Sequence, residues 1–201
     1  MRRVALQMAA MAGFLPGALS MDLVVPLYRW PDMGQEGSVY DAVANTPVET
    51  VAILNPGSGD SNECSGTRPL HTTWQSVVSL FDAKPLVKTL GYVHTNYGSR
   101  ARADVEASID RYFACWRVGG IFVDEAATDA RLCRGEGSYY RELYRYIKSK
   151  DGAAEIMTNQ GTGLDFDVWQ HCSTRAMVAE VPRQKMVQES GPWQLAQAKG
   201  A

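Results

Sequence analysis

From residue 23 onward, short apolar runs alternate with longer segments in which apolar positions recur every three or four residues. The runs cover residues 23–28, 51–54, 87–93, 120–123, 156–157 and 176–179. They are largely apolar on both alternating faces, which is the pattern of strands in a covered parallel sheet. Between them, Trp74, Val77, Val78 and Phe81 follow helical spacing, with Thr72 and Gln75 placed as a capping box. Val105, Ile109, Tyr112, Phe113 and Trp116 make a second stripe, off which Arg102, Asp104, Glu106 and Asp110 lie. Tyr140, Leu143, Tyr144 and Ile147 make a third. These aromatic-rich stripes are read as helix faces packed on the sheet. Residues 32–46 have weaker helical character, and residues 57–69 form a polar, glycine-rich loop.

Repeated strand–helix units predict an α/β fold with right-handed crossovers. Two architectures satisfy that pattern, an open doubly wound sheet and a (β/α)8 TIM-barrel-like fold. A dinucleotide-binding open sheet should carry G-x-G-x-x-G after an early strand, and no such motif occurs. Asn55-Pro56-Gly57-Ser58-Gly59 has glycines but no Walker lysine. The barrel is favoured because polar residues gather just past the runs: Asn55, His94-Thr95-Asn96, Asp124-Glu125, Asn159 and Glu180. In barrels that rim carries the site.

Composition narrows the function classes. The chain has 201 residues, 45% hydrophobic and 21% charged, which suits one globular domain. Its net charge is -2 and it has no Lys/Arg-rich run, so nucleic-acid binding is disfavoured. Residues 1–20 combine Arg2 and Arg3, an apolar stretch and the small residues Gly17, Ala18 and Ser20. That reads as a secretory signal peptide, or alternatively as an amphipathic N-terminal helix. No segment has the length and apolarity of a membrane span. Cys64, Cys115, Cys133 and Cys172 lack zinc spacing. They allow two disulfides in a secreted chain, with the pairing open, or buried thiols.

The chemistry concentrates in Asp124 and Glu125, adjacent carboxylates closing an apolar strand. Alternation points at most one of them straight along a barrel axis. The bland alternative makes Asp124 a helix cap and Glu125 a solvated side chain. Glu180 ends another strand and supplies the second carboxylate that glycoside hydrolysis requires. His94, Asn96, Tyr97 and Asn159 at strand ends are candidate substrate-binding residues, with Asn55 and Tyr28 beside them, and Tyr28, Trp30 and Tyr97 are able to stack on sugar rings. A metal site from His94, Asp124 and Glu180 is the lesser alternative, and no cofactor or metal is expected.

These residues resemble the spherulin-4-like family, which includes a glycoside hydrolase family acting on galactosaminogalactan. The matching pieces are residues 25–28, 53–59, 91–100, 112–116 and 120–125, with weaker matches at 158–162 and 178–180. The resemblance implies a (β/α)8 barrel over residues 21–182, a short tail over 183–201, and a secreted, endo-acting hydrolase of α-1,4-linked, N-acetylgalactosamine-containing polysaccharide. It places the family's adjacent Asp and Glu on Asp124 and Glu125 and its later Glu on Glu180. The chain departs from the family pattern at Asn159-Gln160-Gly161 and in the 63–68 stretch. A full barrel takes about 250 residues, so about six βα units are expected here, an incomplete barrel whose open strand edges invite self-association. A catalytically silent structural or carbohydrate-binding relative of a cell wall or matrix is the second expectation.

Overall fold

The computed structural model describes residues 23–59, 69–161, 169 and 171–176. Six strands, β1 (Leu23–Leu27), β2 (Thr50–Leu54), β3 (Val87–His94), β4 (Gly120–Asp124), β5 (Glu155–Thr158) and β6 (Arg175–Ala176), form one parallel sheet in the order β1-β2-β3-β4-β5-β6. Four helices lie between successive strands: α1 (Val39–Ala44), α2 (Pro69–Asp82), α3 (Arg102–Arg111) and α4 (Tyr139–Lys150). Each connection therefore steps to the next strand in the same direction. The reversal of strand order that defines a doubly wound sheet is absent among the described residues.

The two faces of the sheet are buried in different ways. On one face, Leu27, Ala52, Leu54, Val93, Ile121, Val123 and Ile156 join the apolar faces of all four helices in a single core. On the other, Val51, Ile53, Leu90, Phe122 and Met157 pack on one another, with Val24 and Tyr92 at the margin. No helix side chain among the described residues enters this second cluster. Strand side chains that bury one another without a covering layer are what a curled sheet produces. Glu155 sits among them because Lys88 Nζ lies 3.1 Å from its Oε2 and the Arg175 guanidinium pairs with its Oε1. This charge compensation explains why β5 starts one residue before the expected apolar run.

Local sequence accounts for most element boundaries. The three helical stripes fall on α2, α3 with its extension, and α4; Trp74, Val77, Phe81, Val105, Ile109, Tyr140, Leu143 and Ile147 are all buried. The proposed capping box is wrong, because α2 begins at Pro69 and places Thr72 and Gln75 inside the helix. Proline costs little in a first helical turn, where its N–H would have no partner. Gln75 instead donates to the Cys115 carbonyl at 3.4 Å. The weakly helical 32–46 stretch yields only the short α1, whose N-cap Ser38 accepts from the Asp41 N–H. α3 runs on into a π-helical turn, Tyr112–Trp116, that ends at Arg117 in the left-handed region, φ 53°. The Tyr112 ring lies against the backbone of Gly91, where a Cβ would collide with it. Gly91 is thus required inside β3 for close approach of the helix.

Cys133 and Cys172 form a disulfide, which joins the β4–α4 connection to the segment leading into β6. The expected signal peptide, the rest of the sixth apolar run with Glu180, and the tail lie outside the described residues. No described helix is long and apolar enough to cross a membrane.

Burial raises the pKa of Tyr40, Tyr92, Tyr139 and Tyr140, with Tyr139 pushed up to about 12. Below pH ~10 these phenols are neutral both folded and unfolded, so their stabilising contribution is complete. Above it the unfolded chain releases protons that the folded chain retains, and stability falls as pH rises toward the folded values. Tyrosinate absorbance near 295 nm should therefore rise late and together with loss of the folded far-UV signal. Independent ionisation of these four phenols near pH 10 in a folded protein would contradict the packing.

Candidate active site

Asp124 closes β4 and follows the two-residue alternation of Phe122, so its side chain lies on the strand-packed face and not among the helices. Register sets it beside His94 of β3. On the other side, Val123 pairs with Thr158, which brings Asn159 level with Asp124. Two neutral donors grip the half-buried carboxylate. The Tyr92 hydroxyl donates to Oδ2 at 2.9 Å and the Asn159 amide donates to Oδ1 at 3.0 Å. Burial, reinforced by the charge of Asp124, raises the Tyr92 pKa, so the phenol keeps the proton that it donates. Asn159 is itself fixed, since its Oδ1 accepts from the Gly161 N–H at 3.0 Å and its carbonyl accepts from Ala126 N–H at 2.8 Å.

Glu125 leaves the strand. Its backbone sits in the left-handed region, φ 49°, and its carbonyl accepts from Tyr97 N–H at 2.7 Å and from the Thr95 hydroxyl at 2.8 Å. Tyr140 supports this turn from below, with its phenol 2.9 Å from the Thr95 hydroxyl and accepting from Ala127 N–H at 2.8 Å. The turn carries the Glu125 carboxylate to the rim, where Oε2 lies 3.6 Å from His94 Nδ1. The Asp–Glu pair is thereby divided: Asp124 is locked by hydrogen bonds, while Glu125 faces an imidazole.

The loop after β3 is also strained. Asn96, Tyr97 and Gly98 have φ of 46°, 55° and 83°. A side-chain-bearing residue costs about 1–3 kcal/mol in such a conformation, and strain of this kind gathers at binding sites. Here the Glu125 contact, the Arg100 guanidinium on the His94 carbonyl at 3.1 Å and the Tyr139 hydroxyl on the Arg100 carbonyl at 2.7 Å hold the loop. The result is a Tyr97 ring that is 61% exposed at the rim.

The structure therefore brings His94, Asp124, Glu125 and Asn159 together and places Tyr97 and Asn96 on the adjoining loop. Tyr28 and Asn55 follow β1 and β2; Tyr28 packs edge-on against Tyr92, with ring centres 5.3 Å apart. Asp124 does not cap the next helical turn, since Asp129 does. Asn159, expected as a substrate ligand, donates an amide hydrogen to Asp124. In the sequence Tyr92 belongs to an apolar run; its position two residues before His94 on the same strand face is the signal that sets it at the site. Among the described residues, no group of three His, Cys, Asp or Glu side chains is placed to hold a metal ion.

Comparison with known proteins adds three findings. The family described as Spherulin4, spherulation-specific family 4, matches residues 22–199. Spherulin-4 of Physarum polycephalum is 41% identical over 147 residues, which is 71% of this chain. The chain spans only 40% of the length of that curated relative. Among solved structures, Aspergillus clavatus Sph3 in complex with GalNAc is similar, with a TM-score of 0.67 and 26% identity over 86% of this chain and 70% of the Sph3 chain.

Proposed function

The chain belongs to the spherulin-4 family, and we propose that it is a secreted glycoside hydrolase, endo-acting on α-1,4-linked, N-acetylgalactosamine-containing polysaccharide. The carrying observation is the Asp124 carboxylate, aimed by Tyr92 and Asn159 at a rim with exposed aromatic rings. The solved neighbour's GalNAc complex supports the sugar class. The sequential parallel sheet, buried strand against strand on one face, supports a (β/α)8-type barrel over residues 21–182. The Cys133–Cys172 disulfide supports an oxidising, extracellular destination.

In this reading Asp124 is the nucleophile. Its oxygen attacks the anomeric carbon while Glu180, as general acid, protonates the departing glycosidic oxygen. Water then enters, Glu180 takes its proton, and the Asp124–sugar bond breaks to release product with retained configuration. Glu125, beside His94, orients the acid or the incoming water. Tyr28, Asn55, His94, Asn96 and Tyr97 line the groove, and Asn159 holds the nucleophile.

The test is incubation of the full chain with α-1,4-linked N-acetylgalactosamine polymer. Internal cleavage should release oligosaccharides whose new reducing ends are first seen by NMR as the α anomer. First appearance of the β anomer would overturn the nucleophile assignment. Binding of the polymer with no new reducing ends would favour the silent carbohydrate-binding alternative.

Tyr92→Phe provides a finer check. A hydrogen bond to a charged group is worth about 1.5–3 kcal/mol, so kcat should fall ~10–150-fold while KM changes little. Steady-state kinetics alongside a thermal melt would separate this effect from loss of fold. An unchanged kcat would show that Tyr92 does not position the reacting carboxylate.

A further inference from the structure

The ends of β1 and β2 carry a feature that the bond-breaking step itself does not use. Trp30 is 54% exposed and Tyr28 is 51% exposed. Single exposed aromatics are ordinary on protein surfaces. The loop that carries Trp30, however, is pinned on both sides. The buried Tyr40 phenol donates to the Arg29 carbonyl at 2.6 Å and approaches that of Leu27 at 3.4 Å. The Asp32 carboxylate pairs with Arg29 at 2.8 Å and accepts from the Ser38 hydroxyl at 2.9 Å. Tyr40 is in turn stacked with Phe81 and set edge-on to Trp74. The backbone flanking Trp30 is thus anchored to α1 and the core while the indole stands in water, a platform ordered before any ligand arrives.

The second observation is Asn55. Its amide oxygen is buried yet accepts no hydrogen bond from the described residues. Leu27 pairs with Leu54, so Asn55 lies level with Tyr28 at the same rim. A buried acceptor without a donor marks a place where an incoming donor is favourable. Tyr28 joins this corner to the cleavage site through its edge contact with Tyr92, which donates to Asp124.

We infer that Trp30, Tyr28 and Asn55 form a subsite for a sugar ring remote from the scissile bond, so that the protein reads polymer length and not only the two rings being parted. The ligand is a neutral pyranose of galacto configuration. Its axial 4-oxygen, which carries the glycosidic bond inside the polymer, lies on one side of the ring and leaves the C–H groups of the opposite side free to lie on an indole, and a ring hydroxyl or acetamido N–H supplies the donor that Asn55 lacks. The inference rests on the polysaccharide reading of the site.

The experiment titrates the full chain with a disaccharide and a hexasaccharide of α-1,4-linked N-acetylgalactosamine, following tryptophan fluorescence and calorimetric heat. Wild type should bind the hexasaccharide more tightly and show an emission shift on saturation. Trp30→Ala should weaken hexasaccharide binding about tenfold, abolish that shift and leave the melting temperature unchanged, while Trp30→Phe restores most of the affinity. Hexasaccharide binding by Trp30→Ala that equals wild type, or equal losses for both ligands, would overturn the subsite. The two readings fail separately. Trp30-dependent binding without cleavage removes the enzyme and keeps the subsite; cleavage indifferent to Trp30 and to chain length does the reverse.

Discussion

Asp124→Asn should lower the rate of polysaccharide cleavage by at least about 10³-fold, with the fold intact. The amide has nearly the shape of the carboxylate, and the Tyr92 hydroxyl is able to switch from donor to acceptor when it meets the new NH2 group. On the proposed mechanism, what is lost is the nucleophile, and with it a covalent route that splits one difficult step into two. Losses of this size are typical when a group taking part in bond making or proton transfer is removed. Reducing-end assays with a thermal melt as control measure it. Asp124→Ala with added azide or formate then separates nucleophile from mere support. A small anion placed in the vacated space should restore part of the cleavage, whereas a positioning role gives no such rescue. Glu125→Gln should lose much less, since Glu125 touches His94 and stands away from the donors that aim Asp124. An Asp124→Asn protein that cleaves at the wild-type rate would remove the carboxylate mechanism altogether.

Loss of the Cys133–Cys172 disulfide should lower stability markedly. The bridge closes a sequence separation of 39 residues, for which chain-entropy arguments give about 4 kcal/mol. For a chain of this length, that corresponds to a drop in melting temperature of roughly 8–16 °C. The paired substitution Cys133→Ala and Cys172→Ala, compared with wild type in oxidising buffer by calorimetry, reads the difference. The bridge ties the connection that leaves Glu125 to the segment entering β6. Its removal should therefore also loosen the rim, visible as faster hydrogen exchange of the Ala126 and Ala127 amides. A double variant melting within a degree or two of wild type would show that packing alone holds the two segments.

The sheet was legible in outline because its strands are apolar on both faces. That composition arises where both faces are covered, here by helices on one side and by neighbouring strands on the other, and the runs at 51–54 and 120–123 form the cores of β2 and β4. Strand ends were less legible. His94, Asp124 and Glu155 belong to strands although they are polar, because a register partner or a counter-charge on the neighbouring strand accommodates each. The start of α2 differs from the expected one for a related reason. Thr72 and Gln75 have the spacing of a capping box, but an equally good local start at Pro69 lies three residues earlier.

Residue types and their order along the chain were sufficient for the α/β class, the helix faces that enter the core, and the gathering of carboxylates and amides past strand ends. Each of these follows from a periodicity within a dozen residues. The grip on Asp124 is of another kind. Tyr92 is separated from it by 32 residues and Asn159 by 35, and nothing local distinguishes Tyr92 from a core tyrosine or Asn159 from a substrate ligand. The same holds for the Cys133–Cys172 pairing and for the corner that Tyr28 and Asn55 share. Parallel strands lie about 4.8 Å apart whatever their separation in sequence. Their register, set by packing over the whole sheet, therefore chooses which side chains meet, and a linear pattern carries no record of that choice.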